Sequence, residues 1–176
     1  MTEKKICTKS IILKKILIFC LIILAFAGSS QNAYCKIVKK EIEIETKDTM
    51  LIKATVSYFD IKGVKKYPTV LLLHSLGYSN KDWGSLINEL NHAGYAVIAM
   101  DLRGHGKSVR NIELKQRSWS YFTNKTYEKF PEDVMAILDK VQLQVKNLDL
   151  DNYAIVGADI GANTAVLVAK TYKKKP

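Results

Sequence analysis

The sequence predicts an α/β protein built on a mostly parallel sheet with helices on both faces. Three observations lead there. The stretches "TVLLLH" (69–74), "YAVIAMD" (95–101) and "YAIVGA" (153–158) are continuous apolar runs, as strands buried on both faces require. Between them apolar residues recur at helical spacing. Each run ends in a turn carrying glycine, "HSLG", "LRGHGKS" and "GADIG".

Residues 1–35 read as a secretory signal peptide. Lys4, Lys5, Lys9, Lys14 and Lys15 form a basic start, and "ILIFCLIILAFA" (16–27) follows as an apolar stretch. That stretch falls short of the ~20 residues a membrane-spanning helix needs. Small residues at −3 and −1 allow cleavage before Gly28 or before Lys36. The polar "GSSQNAYC" favours the second site. The expectation is a secreted or periplasmic protein, with retention on the membrane by an uncleaved leader as the alternative. Cys7 and Cys20 leave with the leader, so residues 36–176 hold no pair of cysteines for a disulfide.

The second segment, 36–176, opens with two strands. "KEIEIET" (40–46) alternates with period two, and "LIKATVSYF" (51–59) is rich in β-branched and aromatic residues. "KDTM" between them suits a hairpin, and Gly63 and Pro68 punctuate the loop before the first buried strand. A helix from about Lys81 places Trp83, Leu86, Ile87, Leu90 and Ala93 on one side and stops at Gly94. After the second buried strand an aromatic-rich loop leads to Pro131, where "EDVMAILDKVQLQV" supplies a helix. The third buried strand and the helix "IGANTAVLVAKTY" end the pattern.

Composition and charge narrow the function classes. With 48% apolar and 25% charged residues the chain has the make-up of a globular protein. Its net charge of +10 collects at the two ends, in the leader and in Lys170, Lys173, Lys174 and Lys175. Charge held at two ends is not a groove-shaped basic patch, so no nucleic-acid partner is expected. No His, Cys or Asp cluster has metal-ligand spacing, and no Gly-rich loop precedes a Lys-Ser/Thr pair. Neither metal nor cofactor is expected.

Three turns, in order, resemble those of the N-terminal half of an α/β-hydrolase, near the small bacterial lipase, esterase and peptidase-like members. "LLLHSLG" (71–77) resembles the His-Gly-x-Gly turn, "DLRGHGKS" (101–108) the Asp-x-Arg-Gly-x-Gly-x-Ser turn, and "GADIG" (157–161) the Gly-x-Ser-x-Gly elbow. The resemblance implies an α/β-hydrolase-like fold that is truncated after the nucleophile-elbow helix. It also implies hydrolysis of small-molecule esters or amides. By resemblance Asp159 occupies the nucleophile position, and the backbone N–H groups of Leu76 and Ile160 are the oxyanion donors. His74 is expected to orient its loop, His92 to lie on the surface, and His105 to be a turn residue.

Two departures bear on chemistry. The apex is an aspartate where the ester-cleaving branch has serine, yet the surroundings lack the tryptophan and the His-Gly-x-Pro turn of the aspartate-nucleophile branch. All three histidines precede the elbow, whereas the family's catalytic histidine follows it. Three readings stay open. The chain is a truncated hydrolase or a fragment of one, inactive alone; or a non-catalytic binding module of the same fold; or an aspartate-nucleophile hydrolase of the epoxide or haloalkane type completed by another chain. A last strand left without a neighbour exposes an open sheet edge, where a second chain can pair.

Overall fold

The structure is a computed structural model that describes residues 36–172. The predicted signal peptide, residues 1–35, lies outside the described residues. Strands β1 (Lys36–Glu45), β2 (Met50–Asp60), β3 (Tyr67–Leu73), β4 (Ala96–Asp101), β5 (Arg110–Asn111) and β6 (Leu148–Gly157) form one sheet. Its order is β1-β2-β4-β3-β6, with β5 paired to β2. The helices are α1 (Gly84–His92), the single turn α2 (Asn124–Tyr127), α3 (Phe130–Gln144) and α4 (Ile160–Thr171).

The sheet is mixed. β3 pairs in parallel with β4 on one side and β6 on the other, as the apolar runs predict. β1 and β2 are antiparallel, and so are β2 and β4. The second pairing follows from connectivity. The short link at 61–66 sends the chain straight back, so β3 runs opposite to β2. β4, parallel to β3, lies between them and therefore runs opposite to β2 as well.

Side-chain alternation divides the buried strands between two cores. Leu71, Leu73, Ala96, Ile98 and Met100 face one side, where Phe130, Val134, Ile137, Leu138 and Val141 of α3 and Val168 of α4 cover them. Val70, Leu72, Val97 and Ala99 face the other, under Trp83, Leu86, Ile87 and Leu90. Helices thus sit on both faces. Pro131 sits in the first turn of α3, where a missing N–H costs nothing, and Gly94, at φ 87°, lets the chain leave α1.

The "DLRGHGKS" turn is a structural knot. The buried Asp101 carboxylate accepts N–H bonds from Asn80 (2.7 Å) and Lys107 (2.9 Å). A Cβ at Gly106 would collide with that carboxylate, so only glycine fits. Ser108 Oγ donates to Asp101 O (2.8 Å) and accepts from Lys53 N–H (2.9 Å), closing the turn on β2. Arg103, also buried, makes a fork to Asp133 of α3, with Nε to Oδ2 at 2.8 Å and Nη2 to Oδ1 at 2.7 Å. Its remaining arm reaches Asp48 in the β1–β2 turn, which Lys129 also contacts at 2.7 Å. Burial works against the Asp48 charge, but the bonds from Arg103, Lys129 and Thr46 outweigh it and hold the carboxyl well below the usual carboxylate range. Breaking the Arg103–Asp133 pair, buried on both sides, by removing one partner should cost about 3–5 kcal/mol. This network ties the sheet's upper end to α3, and the elbow forms beside it.

Candidate active site at the turn between β6 and α4

β6 ends at Gly157, and α4 begins at Ile160. Between them Ala158 N–H donates to Leu73 O of β3 at 3.0 Å. Asp159 then takes φ 51° and ψ −119°, a conformation that costs a non-glycine residue about 1–3 kcal/mol. The turn is tight because backbones touch. A Cβ at Gly161 would run into the carbonyl oxygen of Leu73, and a Cβ at Gly157 into that of Gly161. Both flanking positions therefore demand glycine, and the apex side chain is thrown outward into solvent.

The outward carboxylate does not cap the helix it starts. It accepts a hydrogen bond from the backbone N–H of Leu76 instead, at 3.2 Å. Leu76 belongs to the "HSLG" turn after β3, where Gly77 at φ 80° and a Tyr78 N–H to Ser75 O bond of 3.2 Å bend the chain over the elbow. Two of the three residues marked in the sequence, Asp159 and Leu76, are thus in contact, and Ile160 supplies the first residue of the helix behind them.

His74 anchors this turn. Its Nδ1 lies 2.7 Å from Ser75 O, and its Nε2 accepts the Leu102 N–H at 2.9 Å. Those two bonds assign the proton to Nδ1 and leave the imidazole neutral. His105 is buried beside it, with ring centroids 5.0 Å apart, and stacks on Trp119 at 5.7 Å with 6° between the planes. His105 Nδ1 is 2.8 Å from Arg103 O. Burial is the largest influence on both rings and pushes both imidazoles below the ordinary histidine value of 6.5. His92 is exposed and packs edge-on against Phe59. Phe59 lies past the Ser57↔Val97 pair, at the end of the sheet where β4 begins, opposite the elbow. Among the described residues, then, no histidine reaches Asp159 as a base.

A cavity of about 160 Å³ opens next to the elbow, lined by His74, Ser75, Tyr78, Asp82, Trp83 and Ala158. A larger one, about 460 Å³, lies among Arg103, Asn111, Arg117, Tyr121 and Phe122, with no elbow residue in its walls. Among the described residues no three His, Cys, Asp or Glu side chains are placed to hold a metal ion. Sequence reasoning missed Trp119. It saw only an aromatic-rich loop, because a stacking partner fourteen positions from His105 leaves no periodic signature.

Residues 68–176 match the family model described as the alpha/beta hydrolase fold. Among solved structures, the chain is similar to a lipase in its open form at 21% identity and a TM-score of 0.62, covering 77% of this chain and 41% of that one. It is similar to a thermostable carboxyl esterase from Bacillus coagulans, solved with glycerol, at 24% identity and a TM-score of 0.60, with the same coverages. It is also similar to an epoxide hydrolase from an endophytic Streptomyces at 21% identity and a TM-score of 0.54, covering 76% of this chain and 33% of that one. The chain therefore spans less than half the length of these structures. No curated protein matches.

The two buried imidazoles predict a pH dependence. In the unfolded chain each takes a proton as pH falls through 6.5, while in the folded chain each resists it. Their stabilisation is complete above 6.5 and falls on acidification, by up to about 1.4 kcal/mol per pH unit for each ring. Urea denaturation at pH 7.5 and 5.5 should show this loss, and His105→Phe, which keeps a ring against Trp119, should show a smaller one. An equal loss in the variant would contradict the assignment.

Proposed function

The chain belongs to the alpha/beta hydrolase fold family, and from that premise we propose that it carries the nucleophile-elbow half of a site for hydrolysing small-molecule esters. In this reading Asp159 stands in the nucleophile position, and the Leu76 and Ile160 N–H groups form the oxyanion hole. The observation that carries it is the Asp159 backbone at φ 51° and ψ −119° with Leu76 N–H 3.2 Å from the carboxylate. A strained apex facing a fixed amide is what acyl transfer requires, since such donors supply several kcal/mol of transition-state stabilisation.

With aspartate at the apex the hole is filled by the protein's own carboxylate. A substrate carbonyl would have to displace a charge-assisted hydrogen bond to reach Leu76. Among the described residues no histidine stands within reach as a base either, so they activate neither a water nor a hydroxyl at this elbow. In this reading residues 36–172 alone are silent, and the chemistry depends on groups beyond them. The exposed edge of β6, where Val156 is 39% exposed, is where the sheet has room for a further strand, from a second chain or from more of the same one.

An exogenous base tests the elbow. With a nitrophenyl acetate and imidazole, the full chain should release nitrophenol no faster than buffer with imidazole, whereas Asp159→Ser should release it about tenfold faster, a fraction of the 10²–10⁴ a positioned base supplies. Turnover by the parent that Asp159→Asn abolishes would make the aspartate a working nucleophile instead. An Asp159→Ser variant no faster than its parent would mean the hole is not usable.

Export is the second part of the proposal and rests on the leader's basic start and short apolar stretch. Mass spectrometry of the exported protein should find Lys36 as its first residue. Recovery from the cytosol with Met1 intact would end this reading.

A further inference from the structure

The chain leaving the Asp101 turn forms a small hairpin whose tip is apolar and whose stem is basic. Arg117 N–H donates to Val109 O at 2.7 Å, and Arg110 bridges Gln116. Three bonds close the tip on Asn111. Its N–H donates to Lys115 O (3.1 Å), its carbonyl accepts the Leu114 N–H (2.9 Å), and its Oδ1 accepts the Lys115 N–H (2.9 Å). Ile112 N–H donates to Thr49 O at 2.9 Å and fixes the tip to the β1–β2 turn. The tip is therefore rigid, and what it presents follows from its backbone.

It presents hydrocarbon to water. Ile112 is 47% exposed and Leu114 67% exposed. Leu114 sits at φ 61°, a left-handed position that glycine or asparagine takes at lower cost. Leucine there gains nothing from the core and carries backbone strain, so folding does not explain it. Tyr121, 86% exposed, stands on the rim of the cavity that Asn111 and Arg117 also line. Around these side chains lie the exposed cations Arg110, Lys115 and Arg117, against two acids: Glu113, which pairs with Lys115 at 2.8 Å, and Asp48 on the cavity wall, whose charge Arg103 and Lys129 already meet.

We propose that this hairpin docks the protein on an anionic lipid surface. Ile112, Leu114 and Tyr121 enter the boundary between headgroups and acyl chains, while Arg110, Lys115 and Arg117 meet the lipid phosphates. Aliphatic side chains with a tyrosine and a basic collar are the composition that interfacial binding selects. Each cation near an anionic leaflet adds about fivefold to partitioning. A protein partner fits less well, since a stable interface buries roughly 800 Å² per side and three side chains on a narrow tip supply far less. The inference is independent of the chemistry at Asp159.

The test must separate the tip from the apolar leader, which is present in the full chain. Leu114→Trp reports the tip. Lys62→Trp reports the exposed turn after β2, at the opposite end of that strand, and the parent supplies the background of Trp83 and Trp119. With phosphatidylcholine vesicles containing phosphatidylglycerol, the Leu114→Trp emission should shift to the blue and be quenched by brominated acyl chains. Lys62→Trp should do neither. Adding Arg110→Gln, Lys115→Gln and Arg117→Gln, or replacing the anionic lipid with phosphatidylcholine, should abolish the shift. An unshifted Leu114→Trp signal on vesicles that carry the protein, equal shifts at both positions, or a blue shift without lipid would each overturn the proposal. The last of these would mark the tip as a protein contact.

Discussion

Gly161 lies so close to strand β3 that its backbone leaves no room for a side chain against the Leu73 carbonyl, and Gly157 meets Gly161 in the same way. Everything distinctive about the site depends on that contact. It forces strand β6 into helix α4 within two residues and puts Asp159 at an unfavourable φ and ψ. It also sets the apex beside the turn that follows β3. A single cross-strand bond, Ala158 N–H to Leu73 O, holds the geometry in register. The side chain at the apex is a passenger of this backbone.

Around that contact the protein spends its buried polar groups on architecture. Asp101, Arg103 and Ser108 hold one turn to β2, α3 and the β1–β2 connection. His74, nearest the turn, has both ring nitrogens on backbone groups, while His105 turns Nδ1 to Arg103 O and buries Nε2 without a hydrogen-bond partner. A catalytic base needs a free nitrogen within hydrogen-bond reach of the group it serves. The bonds of His74 leave it no such nitrogen, and the unpartnered Nε2 of His105 is buried beside Trp119 rather than exposed with Asp159.

Much of this was legible in the sequence, for identifiable reasons. The apolar runs at 69–74, 95–101 and 153–158 marked the parallel strands because burial on both faces removes alternation. Gly157 and Gly161 marked the tight turn between β6 and α4 because close backbone approach excludes every other residue type. The antiparallel join of β2 to β4 was not legible, since it follows from which strand slips between two others rather than from any local pattern. Arg103 pairs with groups 55 and 30 positions away, Asp48 and Asp133, and nothing in the spacing announces either. β5 and the hairpin around it were also invisible, being two paired residues in a stretch without periodicity.

The turn is a property of the backbone, and residue 159 is interchangeable within it. Urea denaturation of two variants tests this most directly. Asp159→Ser should stay within about 0.5 kcal/mol of the parent, as an exposed substitution does. Gly161→Ala should lose about 1–3 kcal/mol or more, because its methyl group must push strand β3 away. A tolerated alanine at 161, or a serine at 159 that unfolds the chain, would contradict it.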